Sequence, residues 1–161
     1  MISRSEALSL LKSIVKDEAK LTHSFRVAEM MESIAYQFHL PHEKWYVTGL
    51  LHDIDIPLIG DDWSRHGIEA QKILAGLLPY QALRAIMAHD PNPGIKSESK
   101  FTKSLIFADV LENLSRKVSI EELREAMQTM NFDELKKKLP NDLYHLQVIA
   151  DFVQQWPDIR I

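Results

Sequence analysis

The chain has 161 residues, a length that suits one compact domain with a sizeable core, and we expect residues 1–161 to form a single domain. Its 45% hydrophobic and 26% charged residues are typical of a globular protein, and the net charge of -4 argues against a general binder of nucleic acid or of anionic membranes. The absence of cysteine excludes disulfides, thiolate nucleophiles and Cys-ligated zinc or iron–sulfur sites, so any metal ligands must be His, Asp or Glu.

Apolar residues recur at helical spacing along nearly the whole chain, and alternating strand patterns are absent, which predicts an all-α fold. The N-terminus lacks the apolar core of a signal peptide and no apolar run approaches membrane length, so we expect a cytoplasmic protein. Ser3 and Glu6 form a capping box that predicts a first helix. A longer helix is predicted from near Asp17 to near His39, with His23 on its buried side.

The next predicted helix opens at Pro41 and carries its apolar positions into the neighbouring residues His52 and Asp53. Adjacent residues on a helix point about 100° apart, so these two side chains can bind one ion only near a helix end. Pro57 is expected to supply that end.

Two further helices are predicted in the middle of the chain. Ser64 can cap the first of them, which would place His66 in its first turn. Pro79 starts the second, and Pro91 stops it just past His89. His89 is therefore also expected at the end of an element.

The last third of the chain is predicted to be helical as well. An apolar helix from about Ser99 includes Asp109 among its apolar residues, so we expect this carboxylate to be buried. Ser119 and Glu122 form a second capping box, and Asn141 can cap a final helix.

Six residues with metal-binding side chains thus fall on a buried face or at the end of an element. They are His23, His52, Asp53, His66, His89 and Asp109. Taken singly, each is more often a hydrogen-bonded core residue or a surface residue than a ligand. All-α packing can gather such positions around one cavity, where a buried carboxylate needs a cation nearby. Imidazole and carboxylate ligands suit iron, manganese, zinc, cobalt or magnesium.

The order of these motifs resembles the HD superfamily of metal-dependent phosphohydrolases. The family pattern is a His, then His-Asp, then two further His in binuclear members, then a late Asp. The resemblance covers roughly Leu21 to Val118. Its segments are Thr22-His23-Ser24, Gly49-Leu50-Leu51-His52-Asp53-Ile54, Arg65-His66-Gly67, Ala85-Ile86-Met87-Ala88-His89 and Leu105-Ile106-Phe107-Ala108-Asp109.

The resemblance implies a helical bundle with a metal site in its core that hydrolyses phosphate esters or anhydrides. It implies two divalent transition-metal ions, with iron or manganese favoured, and a bridging hydroxide that attacks phosphorus. The first ion would be held by His23, His52, Asp53 and Asp109, and the second by Asp53, which bridges, with His66 and His89. The layout is most similar to the small HDIG-type proteins that include the symmetrical diadenosine tetraphosphate hydrolases, which implies a nucleotide or dinucleoside polyphosphate substrate.

One departure from the family pattern concerns the substrate phosphate. Many relatives read HDIGK, whereas this chain reads HDIDI over residues 52–56, so the lysine that assists the phosphate is absent. Arg26, Arg65 or Lys103 would have to replace it, or the substrate must differ. Asp55 is either a residue that supports the metal ligands or a simple loop carboxylate, and both interpretations stay open at this point.

Three alternatives to a nucleotide phosphohydrolase stay open from the sequence. The chain can be a small-molecule phosphomonoesterase, a metal-containing regulatory or ligand-binding HD module without turnover, or a helical interaction protein whose histidines are coincidental. His39, His42 and His145 are interpreted as structural or surface residues. We expect a small phosphorylated partner, no nucleic acid and no membrane, and the sequence leaves the oligomeric state undetermined.

Overall fold

The computed structural model describes all residues from Met1 to Ile161 and confirms the all-α prediction, because it contains helices and no strand. The elements are α1 (Arg4–Ile14), α2 (Glu18–Gln37), α3 (His42–Leu51), α4 (Ile56–Ile59), a 3-10 turn (Trp63–Arg65), α5 (Ile68–Leu74), α6 (Tyr80–Met87), α7 (Lys100–Ser115), α8 (Ile120–Thr129), α9 (Asp133–Lys138) and α10 (Leu143–Gln155). None of these helices combines the length and the hydrophobicity that crossing a bilayer requires.

Internal contacts divide the chain into two compact units, residues 1–105 and residues 106–161. Helix α7 begins in the first unit and ends in the second. The single domain expected from the sequence stays a prediction.

In the first unit, Arg4 ties helix α1 to α2 and α3. Its guanidinium pairs with Glu32 on α2 and donates to Glu43 on α3 at 2.9 and 2.8 Å. It also lies 3.9 Å above the ring of Tyr46. The capping box of Ser3 is present as predicted and starts α1. These contacts hold α1 against the helix that leads into the His-Asp pair.

Helices α2 and α3 approach each other closely at Gly49. A Cβ atom at this position would lie 2.9 Å from the Cα atom of Ala28, so only glycine allows the two backbones to come this near. This close packing brings the C-terminal end of α3, where His52 follows, beside the part of α2 that carries His23. The first unit therefore places these two imidazoles on neighbouring helices.

The middle of the first unit differs from the sequence prediction. Ser64 does not cap α5, because it lies in the 3-10 turn and α5 begins only at Ile68. Gly67 separates the two with a φ of +73°, a conformation that favours glycine. His66 consequently precedes the helix and does not lie in its first turn.

The helix end predicted beside His52 is present, but Pro57 is not its cause. Helix α3 ends at Leu51, and Pro57 lies in the first turn of the short helix α4. Helix α6 likewise ends at Met87, and His89 follows it.

The second unit is built from the end of α7 and helices α8, α9 and α10. The rings of Phe107 and Phe152 stack with their centroids 4.1 Å apart. The capping box of Ser119 is present as predicted. Helix α10 begins after Asp142 rather than after Asn141, and no side chain caps its first turn. Helix α9 carries the three consecutive lysines of this unit in its last turn and has no counterpart in the sequence prediction.

Candidate metal centre

Four imidazoles of the first unit surround the carboxylate of Asp53. The Nε2 atoms of His52, His66 and His89 each lie 3.3 Å from Asp53 Oδ1, and His23 Nε2 lies 3.4 Å from Asp53 Oδ2. The Nε2 atoms of His23 and His52 are 3.3 Å apart, and those of His66 and His89 are 3.1 Å apart. The structure thus brings together the five predicted metal ligands that lie in the first unit.

Backbone carbonyls fix the orientation of two of these rings. His52 Nδ1 lies 2.7 Å from the carbonyl oxygen of Gly49, and His89 Nδ1 lies 2.7 Å from that of Ile86. A carbonyl oxygen only accepts hydrogen bonds, so Nδ1 is the donor in both rings. Both carbonyls belong to the last turn of a helix, where they lack an intrahelical partner. When such a ring is neutral, the lone pair on Nε2 can bind a metal ion, and when the ring is protonated, Nε2 donates a hydrogen bond to Asp53 instead.

His66 is oriented by a side chain. Its Nδ1 donates to Asp55 Oδ1 at 2.9 Å, and both side chains are buried. Asp55 Oδ2 accepts from the backbone N–H groups of Gly67 at 2.7 Å and of Ala70 at 3.0 Å. The carboxylate therefore joins His66 to the start of helix α5.

The sequence leaves the role of Asp55 open, and the structure places it against His66, one of the predicted ligands. A usable signal was its position between Ile54 and Ile56, because a loop carboxylate in water more often has polar neighbours. The carbonyl acceptors of His52 and His89 have no sequence signal, since every residue carries a carbonyl group.

The electrostatics of the cluster favour a negative Asp53 among hydrogen-bond donors. Burial would raise the pKa of Asp53, but the charge of His52 and hydrogen bonds from the three other imidazoles outweigh it and hold that pKa well below its usual range. Burial lowers the pKa of His66, whereas hydrogen bonds to Asp53 and Asp55 raise it to a net value of about 10. The centre therefore attracts positive charge, whether a proton or a metal ion.

The spacing of the donor atoms fits a bound cation. Two ligand atoms that each lie about 2.1 Å from one ion are separated by roughly 3.0 to 3.4 Å at octahedral to tetrahedral angles. The nitrogen–nitrogen and nitrogen–oxygen distances around Asp53 fall between 3.1 and 3.4 Å. Asp53 presents Oδ2 toward His23 and Oδ1 toward His52, His66 and His89. These residues could hold divalent metal ions.

Three further residues were predicted for the site, Asp109 in the second unit and Arg26 and Arg65 in the first. Asp109 is half-buried rather than buried, and its Oδ1 accepts a hydrogen bond from Asn113 at 2.9 Å. Arg26 is exposed on α2, and Arg65 is exposed and pairs with Glu69 at 3.1 Å. The roles of Asp109, Arg26 and Arg65 in a site stay predictions.

A second cluster of possible ligands comprises Glu32, His42 and Glu43. The guanidinium of Arg4 already pairs with both carboxylates, so an arginine of the chain itself balances their negative charge in place of a metal ion. The ring of His42 stacks on Tyr36 at 4.4 Å. This cluster is a structural contact among three helices, in line with the interpretation of His42 from the sequence.

The sequence profile of the HD domain family matches residues 21–134, and the chain belongs to this family. The match begins where the sequence resemblance begins and extends beyond its predicted end at Val118. No curated protein sequence matches the chain significantly.

The fold is similar to a crystal structure from Clostridium acetobutylicum described as a predicted HD superfamily hydrolase involved in NAD metabolism. The TM-score is 0.57 and the sequence identity is 20%, over 97% of this chain and 99% of that chain. The likeness shows a shared fold along nearly the whole length of both chains.

Proposed function

We propose that this protein is a metal-dependent phosphohydrolase that cleaves a phosphate ester or anhydride of a nucleotide or dinucleoside polyphosphate. The observation that carries the proposal is the convergence of four imidazole Nε2 atoms on the two oxygens of Asp53. Membership of the HD domain family supports the reaction class.

The residues of the centre have separate tasks in this proposal. Asp53 stays ionised and would hold divalent metal ions together with the surrounding imidazoles, and the fixed rings of His52 and His89 would offer Nε2 without reorganisation. Ions held there supply Lewis-acid activation of the phosphoryl oxygens and of the attacking water, which the family resemblance implies. Arg26 or Arg65 supplies the positive charge toward the phosphate that the family lysine supplies in relatives. Asp109, on the resemblance, completes the ligand set.

The proposed substrate class rests on the sequence resemblance to small HD proteins that act on dinucleoside polyphosphates. The structural neighbour from Clostridium acetobutylicum is described as involved in NAD metabolism, and NAD is itself a dinucleotide with a phosphoanhydride. The net charge of -4 requires the substrate phosphates to be met by local positive charge, which bound metal ions and one arginine provide.

The metal requirement is tested first. Elemental analysis of carefully handled protein, followed by titration of the metal-free protein with Mn²⁺, Fe²⁺, Co²⁺ and Mg²⁺, should show bound divalent metal. Failure to bind any of these ions with a dissociation constant below about 1 mM would contradict the proposal.

The reaction is tested with the metal-loaded protein on a panel of nucleoside monophosphates, nucleoside polyphosphates and dinucleoside polyphosphates. Phosphate release should be seen with at least one polyphosphate and should disappear in Asp53→Asn. Release from monophosphates alone would assign a phosphomonoesterase instead. Tight binding of a nucleotide with no release from any compound would assign a regulatory module.

A further inference from the structure

We propose that Asp55 is a positioning residue that sets the affinity of the ion held by His66 and His89, while the ion held by His23 and His52 depends on it little. The inference rests on the metal centre of the proposed function. It assigns a role to a carboxylate that stands where many relatives have glycine.

Both oxygens of the Asp55 carboxylate accept hydrogen bonds. Its side chain has no exposed surface, one oxygen accepts from His66 Nδ1, and the other accepts from the N–H groups of Gly67 and Ala70. All three partners are donors, and hydrogen bonds to a charged acceptor are stronger than neutral ones. The ring of His66 is therefore held firmly with Nε2 toward Asp53.

His66 differs from the other oriented rings in the charge of its partner. The acceptors of His52 and His89 are neutral backbone carbonyls, whereas the acceptor of His66 is a carboxylate. A carboxylate on Nδ1 increases the electron density on Nε2 and makes the imidazole a better metal ligand. The ion held by His66 should consequently be the one most sensitive to Asp55.

A purely structural role for Asp55 is the competing explanation, because the same carboxylate anchors the start of α5. Asp55→Asn separates the two roles. An asparagine keeps one oxygen for the N–H groups of Gly67 and Ala70 but turns an NH₂ group toward His66. Two donors then face each other, so the proton of His66 must move from Nδ1 to Nε2, and the lone pair for the metal is lost.

The experiment is calorimetric titration of Mn²⁺ into the metal-free full-length protein. Wild-type protein should bind two ions, and Asp55→Asn should weaken one of them about 10- to 100-fold while the other is unchanged. Asp142→Asn is the matched control, because Asp142 also accepts from a histidine Nδ1, that of His145 at 3.0 Å, outside the cluster. Asp142→Asn should bind both ions like the wild type.

A double-variant comparison shows whether Asp55 acts through His66. In a His66→Ala background, Asp55→Asn should cause no further loss of Mn²⁺ affinity, because its target is already absent. Additional loss in that background, equal weakening of both ions, or unchanged affinity of both ions in Asp55→Asn would each overturn the inference.

Three further results have defined meanings. If Asp55→Asn does not fold, the zinc-loaded wild-type protein is used, and ¹⁵N–¹H spectra should show the His66 proton on Nδ1; a proton on Nε2 would overturn the inference. A wild type that binds two Mn²⁺ ions but hydrolyses no phosphate, with Asp55→Asn weakened at one ion, would refute the proposed function and support the role of Asp55. A wild type that binds fewer than two ions would refute the role of Asp55.

Discussion

The two units each contain a buried aspartate that accepts a hydrogen bond from a histidine Nδ1, and the two pairs differ in everything around that bond. In the first unit, Asp55 and His66 are 2.9 Å apart and both are buried. In the second unit, Asp142 and His145 are 3.0 Å apart, but the ring of His145 is 39% exposed and Asp142 also pairs with Lys117 at 2.6 Å. The same contact therefore occurs within the candidate metal centre and beside a partly exposed ion pair.

The two pairs differ in what surrounds the second nitrogen, Nε2, of each histidine ring. His66 points its Nε2 at Asp53 Oδ1, 3.3 Å away, among other imidazoles. His145 lies beside the ring of Tyr144 and largely faces solvent. A His-Asp contact becomes a candidate ligand arrangement only when the second nitrogen faces further donor atoms.

Among the substitutions that test this comparison of the two Asp–His pairs, Asp53→Asn is expected to have the largest effect. Loss of the charge removes the feature that distinguishes the His66 pair from the His145 pair, so we expect loss of both metal ions and hydrolysis at background level. Metal content and phosphate release measure this. Asp151→Asn, a change of an exposed carboxylate on α10, is the control and should behave like the wild type.

Next in size are His66→Ala and His89→Ala, which should each lower the metal content toward one ion per chain and reduce hydrolysis strongly. The double variant should be little worse than either single one, because residues that act as a unit are not additive. His145→Ala should change neither quantity. Saturation of the wild type at one ion, with both single variants fully active, would instead assign these two histidines to packing.

Asp109→Asn tests a carboxylate that is predicted as a ligand from the sequence alone. We expect most of the hydrolysis to be lost, and all of it in Asp109→Ala, because one metal ion would be incompletely coordinated. Thermal melting must show that the fold is kept. Wild-type turnover and wild-type metal content in Asp109→Asn would make Asp109 a structural residue.

A smaller effect is expected from Gly67→Ala, which disturbs the backbone N–H group that donates a hydrogen bond to Asp55. Gly67 has a φ of +73°, and an added Cβ would lie 2.6 Å from the carbonyl oxygen of Ile86. We expect the free energy of unfolding to fall by about 2 to 4 kcal/mol. Gly60→Ala is the matched control, because Gly60 also has a positive φ but an open environment, and should cost only about 1 to 2 kcal/mol. Urea unfolding of both variants measures the difference.

The smallest effect concerns the pair in the second unit. Hydrogen bonds from Lys117 and from His145 lower the pKa of Asp142 below its usual value of 3.8. A depressed folded-state pKa stabilises the fold at pH values above the unfolded pKa, and this stabilisation is lost as the pH falls through the folded pKa. The stability difference between wild type and Asp142→Asn should therefore shrink as the pH falls below about pH 4. A difference that grows as the pH falls below about pH 4 would contradict this assignment.

The parts of the fold that could be predicted from sequence are those that depend on local contacts. The capping boxes of Ser3 and Ser119 need only a residue three positions later, and both are present. The start of α5 was placed too early because the positive φ of Gly67 depends on its packing against Ile86, which lies far along the chain.

The candidate site shows the same limit. The order of His23, His52 and Asp53 along the chain identifies the family, and the structure brings them together. The sequence leaves two interpretations of Asp55 open, because two of its partners are backbone N–H groups 12 and 15 residues away. Asp109 is expected to be buried from its apolar neighbours, yet it is half-buried although the residues beside it on α7 are buried, because an apolar pattern does not show how much of one polar side chain stays accessible.

The carbonyl acceptors of His52 and His89 have a consequence for how this centre can change during evolution. Because Gly49 and Ile86 contribute main-chain atoms, no single substitution deletes either hydrogen bond directly. The hydrogen bond that orients His66 is different, because its acceptor is the side chain of Asp55 and a substitution at that position removes it. A single substitution at position 55 can therefore change the acceptor of His66 during evolution. The acceptors of His52 and His89 stay the same as long as the helices that carry them are kept.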